Sequence, residues 1–449
     1  MRHVLLTDYR MLLVLVLIAG YFSFATLTEQ YPTGADAARQ VVALAERSCG
    51  RGASVVIVAE SGEEALAFSD AAEDAATAAG LTVDDAVVGE PPEVAHELDR
   101  LTEAGTVPAA IVTTRAAAQW PLFAAMPERY PALARTPVIS PVGHVWPSFL
   151  RRSNLLAIAD RIVVIAIVAI GMTMVIITGG IDLSVGSLIA LSAVVSTVLI
   201  RDLAGGASAS AGAMALCCVA GAVLCGCVGL VSGSMVTFFL VPPFIVTLTM
   251  MLVASGLAFT LSGGQSVYDV PASIDRLGRG AAVFGIPNTI ALMAVLYAVA
   301  HVVMTRTRFG RYLYAVGGNR EASRLSGVPI AKVILVAYAI CGCLAGLGGI
   351  VQASQLQSGA PTYGVMYELY VIAAVVLGGT SLMGGQGRVL GTLVGALVIA
   401  VIQNGMNLTG VESYTQKVVL GAVILAAVLL DVSRTRGRFS PSPRRESLS

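Results

Sequence analysis

Two carboxylates lie within long apolar runs: Asp182, in the stretch ITGGIDLS (177–184), and Glu368, at the head of YELYVIAAVVL (367–377). A carboxylate at membrane depth is costly and marks a functional site by default. Gly179-Gly180 lets one helix stop, and Asp182 or Ser184 can then accept from the free N–H groups that open the next. A helix break at that depth must be buried in protein or line a wet path, and discontinuous helices mark transport sites. Gly180, Asp182, Ser184 and Glu368 are therefore the candidates for a translocation path. Two plainer readings compete. Asp182 could be a helix cap at the cytoplasmic surface, and Glu368, as a first-turn residue, would gain about 0.3–1 kcal/mol from the helix dipole alone.

A third polar group is the segment 317–327, GGNREASRLSG, within a loop rich in arginine. It predicts a short helix over Glu321–Ser326 between glycines, which a loop that merely joined two spans would not need. A helix standing off a membrane suits docking into a partner's groove. The residues that would carry it are Gly317, Gly318, Asn319, Glu321, Ala322, Leu325 and Gly327, and the competing reading is a solvated loop against lipid head groups. The chain has only two lysines, Lys332 and Lys417, and neither follows a glycine. It thus lacks the G-x-x-x-x-G-K loop that holds a nucleotide phosphate. Work driven by ATP would need the nucleotide on another subunit. Six of the seven cysteines (Cys217, Cys218, Cys225, Cys227, Cys341 and Cys343) lie in apolar stretches without C-x-x-C spacing. They read as small apolar filler rather than a metal site, Cys49 has no partner near it, and no cofactor is expected.

The elements that must position these groups are membrane helices. The 449 residues have 12% charged side chains and a mean hydropathy of +0.80, about half the charge of an ordinary globular domain. A soluble enzyme, a nucleic-acid binder and a disordered hub are excluded. Ten apolar runs approach the roughly 20 residues a spanning helix needs: about 11–27, 158–178, 184–201, 212–235, 243–262, 287–305, 331–351, 369–385, 389–407 and 417–431. Arg306, Arg308, Arg311, Arg320, Arg324 and Lys332 in one loop, and Arg434, Arg436, Arg438, Arg444 and Arg445 in the tail, place both on the cytoplasmic side. Ten spans then put Arg2 and Arg10 inside as well. The first run reads as a retained anchor, the other reading being a cleaved signal peptide. Gly221, Cys225, Gly229 and Gly233, with Gly342/Gly346 and Gly391/Gly395, form small-residue faces for close helix packing in lipid. Asp160 and Arg161 are expected to pair with each other at a span boundary.

Between Thr28 and Leu150 the character changes: 17 Asp and Glu face 7 Arg and no Lys, a balance of −10 against +10 elsewhere. The stretch 33–150 alternates candidate strands (53–59, 81–88, 109–113, 137–140) with helical stretches (63–79, 93–103, 116–125), which implies a parallel α/β sheet of flavodoxin-like type. The expected organisation is a 1–27 anchor, a 28–150 extracytoplasmic α/β domain, a 151–433 bundle completing about ten transmembrane helices, and a 434–449 basic cytoplasmic tail. The α/β pattern resembles one lobe of a periplasmic sugar-binding protein. One lobe offers half a cleft, so ligand capture, partner docking and a bare spacer all stay open.

Over residues 155–435 the chain resembles the permease subunits of bacterial ABC importers for ribose, xylose, galactose and related sugars. The match is carried by 170–186 (IGMTMVIITGGIDLSVG), 241–249 (VPPFIVTLT) with Gly263-Gly264, 308–327 (RFGRYLYAVGGNREASRLSG), and 367–385 (YELYVIAAVVLGGTSLMGG) with Gly391-Thr392. The chain departs at Tyr370, where ribose-type permeases carry Asp, at Ser323 for the usual alanine, and in the acidic insert. The resemblance implies an inner-membrane, multi-pass permease, not itself an enzyme, that moves a monosaccharide by alternating access. It also implies a coupling role for the 317–327 helix against an ABC ATPase subunit, a soluble sugar-binding protein as partner, a homodimer, contact with membrane lipid and none with nucleic acid. An ion-coupled secondary transporter would need more buried acids than Asp182 and Glu368. A membrane-bound solute sensor using the insert as receptor would need a signalling domain, yet only 18 residues follow Asp431.

Overall fold

Continuous apolar stretches without a polar face become helices that are buried or lipid-facing all round, whereas short β-branched runs bounded by glycine become strands. Both occur in this chain, in separate units. A computed structural model describes residues 10–281 and 285–438. Arg2, Arg444 and Arg445 lie outside the described residues, as does most of the basic tail. Leu27–Pro147 forms one compact unit, and the chain on either side of it forms the other. The first helix, α1 (Arg10–Ala25), belongs to the second of these.

In the inserted unit, β1 (Leu27–Gln30) pairs antiparallel with β6 (His144–Pro147), so the entering and leaving chains run side by side. Between them follow α2 (Gly34–Cys49), β2 (Ser54–Ala59), α3 (Glu63–Ala79), β3 (Thr82–Val88), α4 (Pro91–Glu103), β4 (Ala110–Thr113), α5 (Pro121–Arg129) and β5 (Val138–Ile139). The sheet order is β3-β2-β4-β5 with every pair parallel. Strand β2 is central and apolar on both faces, as parallel strands under helices must be. Val55, Ile57 and Ala59 pack under α2 and α3, and Val56 and Val58 pack under α4 and α5. Gly80, at φ 74°, ends α3, and a Glu90–Glu93 capping box opens α4. The small parallel sheet expected from the sequence is thus present. Helix α2 and the β1–β6 ribbon were not anticipated.

The helical unit continues with α6 (Arg152–Ile177), α7 (Val185–Leu203), α8 (Ala211–Thr237), α9 (Pro243–Ser262), α10 (Asn288–Arg306), α11 (Arg308–Gly318), α12 (Arg320–Leu325), α13 (Ile330–Leu356), α14 (Tyr367–Leu377), α15 (Val389–Leu408) and α16 (Ser413–Arg438). Among the described residues seven helices (α6, α7, α8, α9, α10, α13 and α15) are long and apolar enough to cross a membrane, with shorter apolar stretches in α1, α14 and α16. The run expected over 369–385 is not one continuous helix. Helix α14 has only 11 residues, because Gly379 takes a left-handed conformation at φ 86° and the chain leaves as a loop.

The glycine faces do what close packing requires. A Cβ at Gly229 would strike the Tyr338 backbone, one at Gly342 the Cys225 carbonyl, and one at Gly346 the Ala222 backbone, so α8 and α13 approach to backbone contact. Gly391 and Gly395 bring α15 equally close to α14. Helix α1 is part of this core: the Phe22 ring lies over Gly405 of α15 and 6.2 Å from the Phe149 ring.

Candidate functional site

Helix α6 stops at Ile177, and Gly179, at φ 80°, turns the chain away. Residues 180–184 are non-helical before α7 begins at Val185. Asp182 is fully buried and so does not sit at a surface, although the carboxylate-to-amide bond of the cap reading is present. Its Oδ1 accepts from the Ser184 amide at 2.9 Å and the Ser184 hydroxyl at 2.5 Å. Ser184 precedes α7 but makes no side-chain cap bond; its hydroxyl is spent on Asp182. Among the described residues Oδ2 has no hydrogen-bond partner. Helix α13 walls this turn. The Tyr338 hydroxyl reaches the Ile181 carbonyl at 3.4 Å, and a Cβ at Gly180 would meet that same hydroxyl. Thr247 of α9 also donates to the Ile181 carbonyl, at 3.3 Å.

Glu368 sits half-buried in the first turn of α14. Its carboxylate lies against Gly186 in the first turn of α7, where a Cβ would overlap Oε2. Glu368 thus stands at the first turn of its own helix and against the first turn of another. Gly364, at φ 70°, packs against the same turn of α7. Asp182 and Glu368 flank one segment, 182–186, yet no hydrogen bond joins them among the described residues. Tyr370 instead forms an edge-to-face pair with Tyr367, at 6.4 Å between centroids.

The polar loop forms two helices. Thr307 caps α11 by accepting from the Gly310 amide at 3.2 Å, and Asn319 caps α12 by accepting from Ala322 at 2.9 Å. Helix α12 runs one residue ahead of the expected Glu321–Ser326. Glu321 and Arg324 form an exposed ion pair at 2.5 Å, which raises the pKa of the Arg324 guanidinium. Gly318, Asn319, Ala322 and Gly327 are exposed, and Leu325 is 76% exposed on an otherwise polar helix. Ser323 alone of α12 is buried, at 5%. Gly327, at φ 77°, ends the segment.

Gly317 differs from its neighbours, and its part was not legible in the sequence. A Cβ there would overlap the Ile177 carbonyl and the Gly385 amide, and those two groups are hydrogen-bonded to each other at 2.9 Å. Tyr314, one turn earlier, donates to the Gly387 carbonyl at 2.8 Å. The end of α11 thus grips both the C-terminus of α6, where the Asp182 break begins, and the loop that follows α14. The only hint in the sequence is the density of glycine at 179–180, 317–318 and 384–385.

The expected Asp160–Arg161 pair is corrected. Asp160 accepts from Thr289 at 2.5 Å and from Gln355 at 3.2 Å, and among the described residues it makes no ion pair with Arg161. Successive helical residues point about 100° apart, which favours partners on other helices.

Residues 154–428 match the family model described as branched-chain amino acid transport system / permease component. The ribose import permease protein RbsC of Escherichia coli (strain K12) is 42% identical over 310 residues, covering 68% of this chain and 93% of that protein. RbsC of Bacillus subtilis (strain 168) is 42% identical over 287 residues, covering 64% and 86%. The D-allose transport system permease protein AlsC of Escherichia coli (strain K12) is 35% identical over 284 residues, covering 63% and 84%. No solved structure matches. The family match begins beyond the inserted unit.

Proposed function

Because the chain belongs to the family of branched-chain amino acid transport system permease components, we propose that it carries a monosaccharide across the bacterial inner membrane by alternating access. It is the permease subunit of an ATP-binding-cassette importer and not an enzyme; ATP is hydrolysed on a separate subunit. The observation that carries the sugar reading is 42% identity across 93% of a ribose import permease. In this reading α12 is the coupling helix that meets the ATPase. Closure of the ATPase pair moves α12, and Gly317 passes the displacement to α6 and to the loop after α14. The two broken helices then tilt around Asp182 and Glu368, a two-state change of packed elements rather than a continuous deformation. Two copies of the permease and a soluble substrate-binding protein complete the proposed assembly.

The direct test joins the chain to its ATPase and binding protein in cells lacking their own sugar importers. Uptake of at least one labelled pentose or hexose, dependent on ATP hydrolysis, is the expected result, with two permease copies per complex by mass. Uptake that tracks a proton or sodium gradient and ignores the ATPase would defeat the reading.

For sidedness, we place both termini and the 306–332 loop in the cytoplasm and residues 28–150 outside it. The arginine cluster of α10–α12 supports this by the positive-inside rule. Ser61, exposed just after β2, is expected as Ser61→Cys to react with a membrane-impermeant thiol reagent in intact cells, above the parent background. Reaction only after the cells are broken would reverse the topology.

A further inference from the structure

We propose that the cargo is recognised in a second place, a cavity near the N-terminal end of α6, about 24 Å along that helix from the Asp182 break at 1.5 Å per residue. The inference rests on the permease reading and names the substrate class it would serve. The cavity holds about 440 Å³ and is lined by Asp160 and Arg161 of α6, Arg279, Gln352 and Gln355 of α13, and Tyr367 of α14. That volume falls within the range of small-molecule sites. It lies on the opposite end of α6 from Gly317, and so at the entrance side for an importer driven from α12.

Its chemistry fits a neutral ligand dense in hydroxyls. One carboxylate and two guanidiniums are present, and Asp160 already accepts from Thr289 and Gln355. Arg279 donates to the Gln355 carbonyl at 2.8 Å. These bonds hold Asp160 and Arg279 in place, while Arg161 is exposed. Gln352 differs: among the described residues its Oε1 has no hydrogen-bond partner, and it lines the cavity together with Tyr367. A buried acceptor left unmade costs about 1–3 kcal/mol and is normally explained by a missing partner. A sugar hydroxyl, donor and acceptor at once, completes that set, and the Tyr367 ring supplies an apolar face for a pyranose or furanose. Tyr367 is also the residue before Glu368, so occupancy of the cavity bears directly on the head of the broken helix α14.

The test uses the assembled transporter and reads sugar uptake and ATP turnover together. Gln352→Leu is expected to lower uptake of the imported sugar about tenfold while ATP turnover per complex stays within twofold. Tyr367→Phe, which removes one oxygen and keeps the ring, is expected to do the same in smaller measure and stands in if the leucine variant does not assemble. Uptake unchanged in both variants would overturn the proposal, and so would a parallel fall of uptake and ATP turnover, since that assigns these residues to the fold. Wild-type import of a zwitterionic amino acid in place of any sugar would overturn the ligand class. A wild-type complex that imports nothing would remove the broader permease reading instead.

Discussion

Glu321→Arg is expected to abolish ATP-driven uptake while leaving the helical unit folded. Glu321 is the first-turn acid of α12, and its side chain is 67% exposed in a pair with Arg324. An exposed pair of this kind contributes little to stability, and an ordinary surface substitution changes stability by no more than about 0.5 kcal/mol. A docking surface behaves differently. Reversal there adds a third cation between Arg320 and Arg324, facing whatever the partner presents to the native Glu321. Like-charge contact at an interface costs several kcal/mol, enough to weaken association about a hundredfold. The measurement is co-purification of the ATPase with the detergent-extracted permease, alongside uptake. Glu321→Gln, which removes the charge without reversing it, is expected to fall between wild type and Glu321→Arg. Full ATPase recovery and full uptake in the arginine variant would show that α12 is not the docking element.

The helices were legible wherever a long apolar run ended at a polar or glycine boundary. The run read as 389–407 is α15 at Val389–Leu408, and that read as 243–262 is α9 to the residue. The reading failed where apolar character outlasts the helix. Leu382-Met383 resume apolar character only four residues after Val375 to Leu377, across an uncharged Gly-Gly-Thr-Ser, but the left-handed glycine stops α14 at half a span. In the inserted unit β2, β3 and β4 carry β-branched runs and were plain. Helix α2 hid because its buried stripe is largely alanine, with Ala37, Ala38 and Ala45 beside two valines. The β1–β6 ribbon joins Leu27 to Pro147 across the whole unit, and no local signal announces a pairing of that separation.

The same boundary divides the site. Asp182 and Glu368 stood out because charges are rare in apolar runs. What each of them touches did not, because Tyr338, Gly186 and the Ile177–Gly385 bond are contributed from far along the chain. Gly186 is instructive. In sequence it is one more glycine near a helix start, and only the fold shows that a side chain there would displace the Glu368 carboxylate. Residue type was readable; juxtaposition was not.

Gly317→Ala is expected to be the most damaging single methyl that can be added to the coupling segment. The reason is space rather than backbone conformation, since Gly317 is not among the positive-φ glycines. The added Cβ would overlap the Ile177 carbonyl and the Gly385 amide, so relief requires either breaking their 2.9 Å hydrogen bond or lifting α11 off the end of α6. Overpacking of this kind costs about 1–3 kcal/mol, and an orphaned carbonyl at a buried helix end adds a comparable penalty. If α11 lifts, Tyr314 loses register with Gly387, and the link from α12 to both broken helices is cut. The transporter should then assemble poorly, unfold at a lower temperature, and import at least tenfold less sugar per assembled complex. Gly256→Ala is the matched control: that glycine lies within α9 with nothing within 4 Å of its would-be Cβ, and alanine is the better helix former. Equal behaviour of the two variants would mean that the contact at Gly317 is incidental and that force reaches the Asp182 break by another route. A Gly317→Ala protein with wild-type thermal stability but lost uptake would locate the effect in transmission itself, because the fold would then tolerate the methyl and only the moving parts would not.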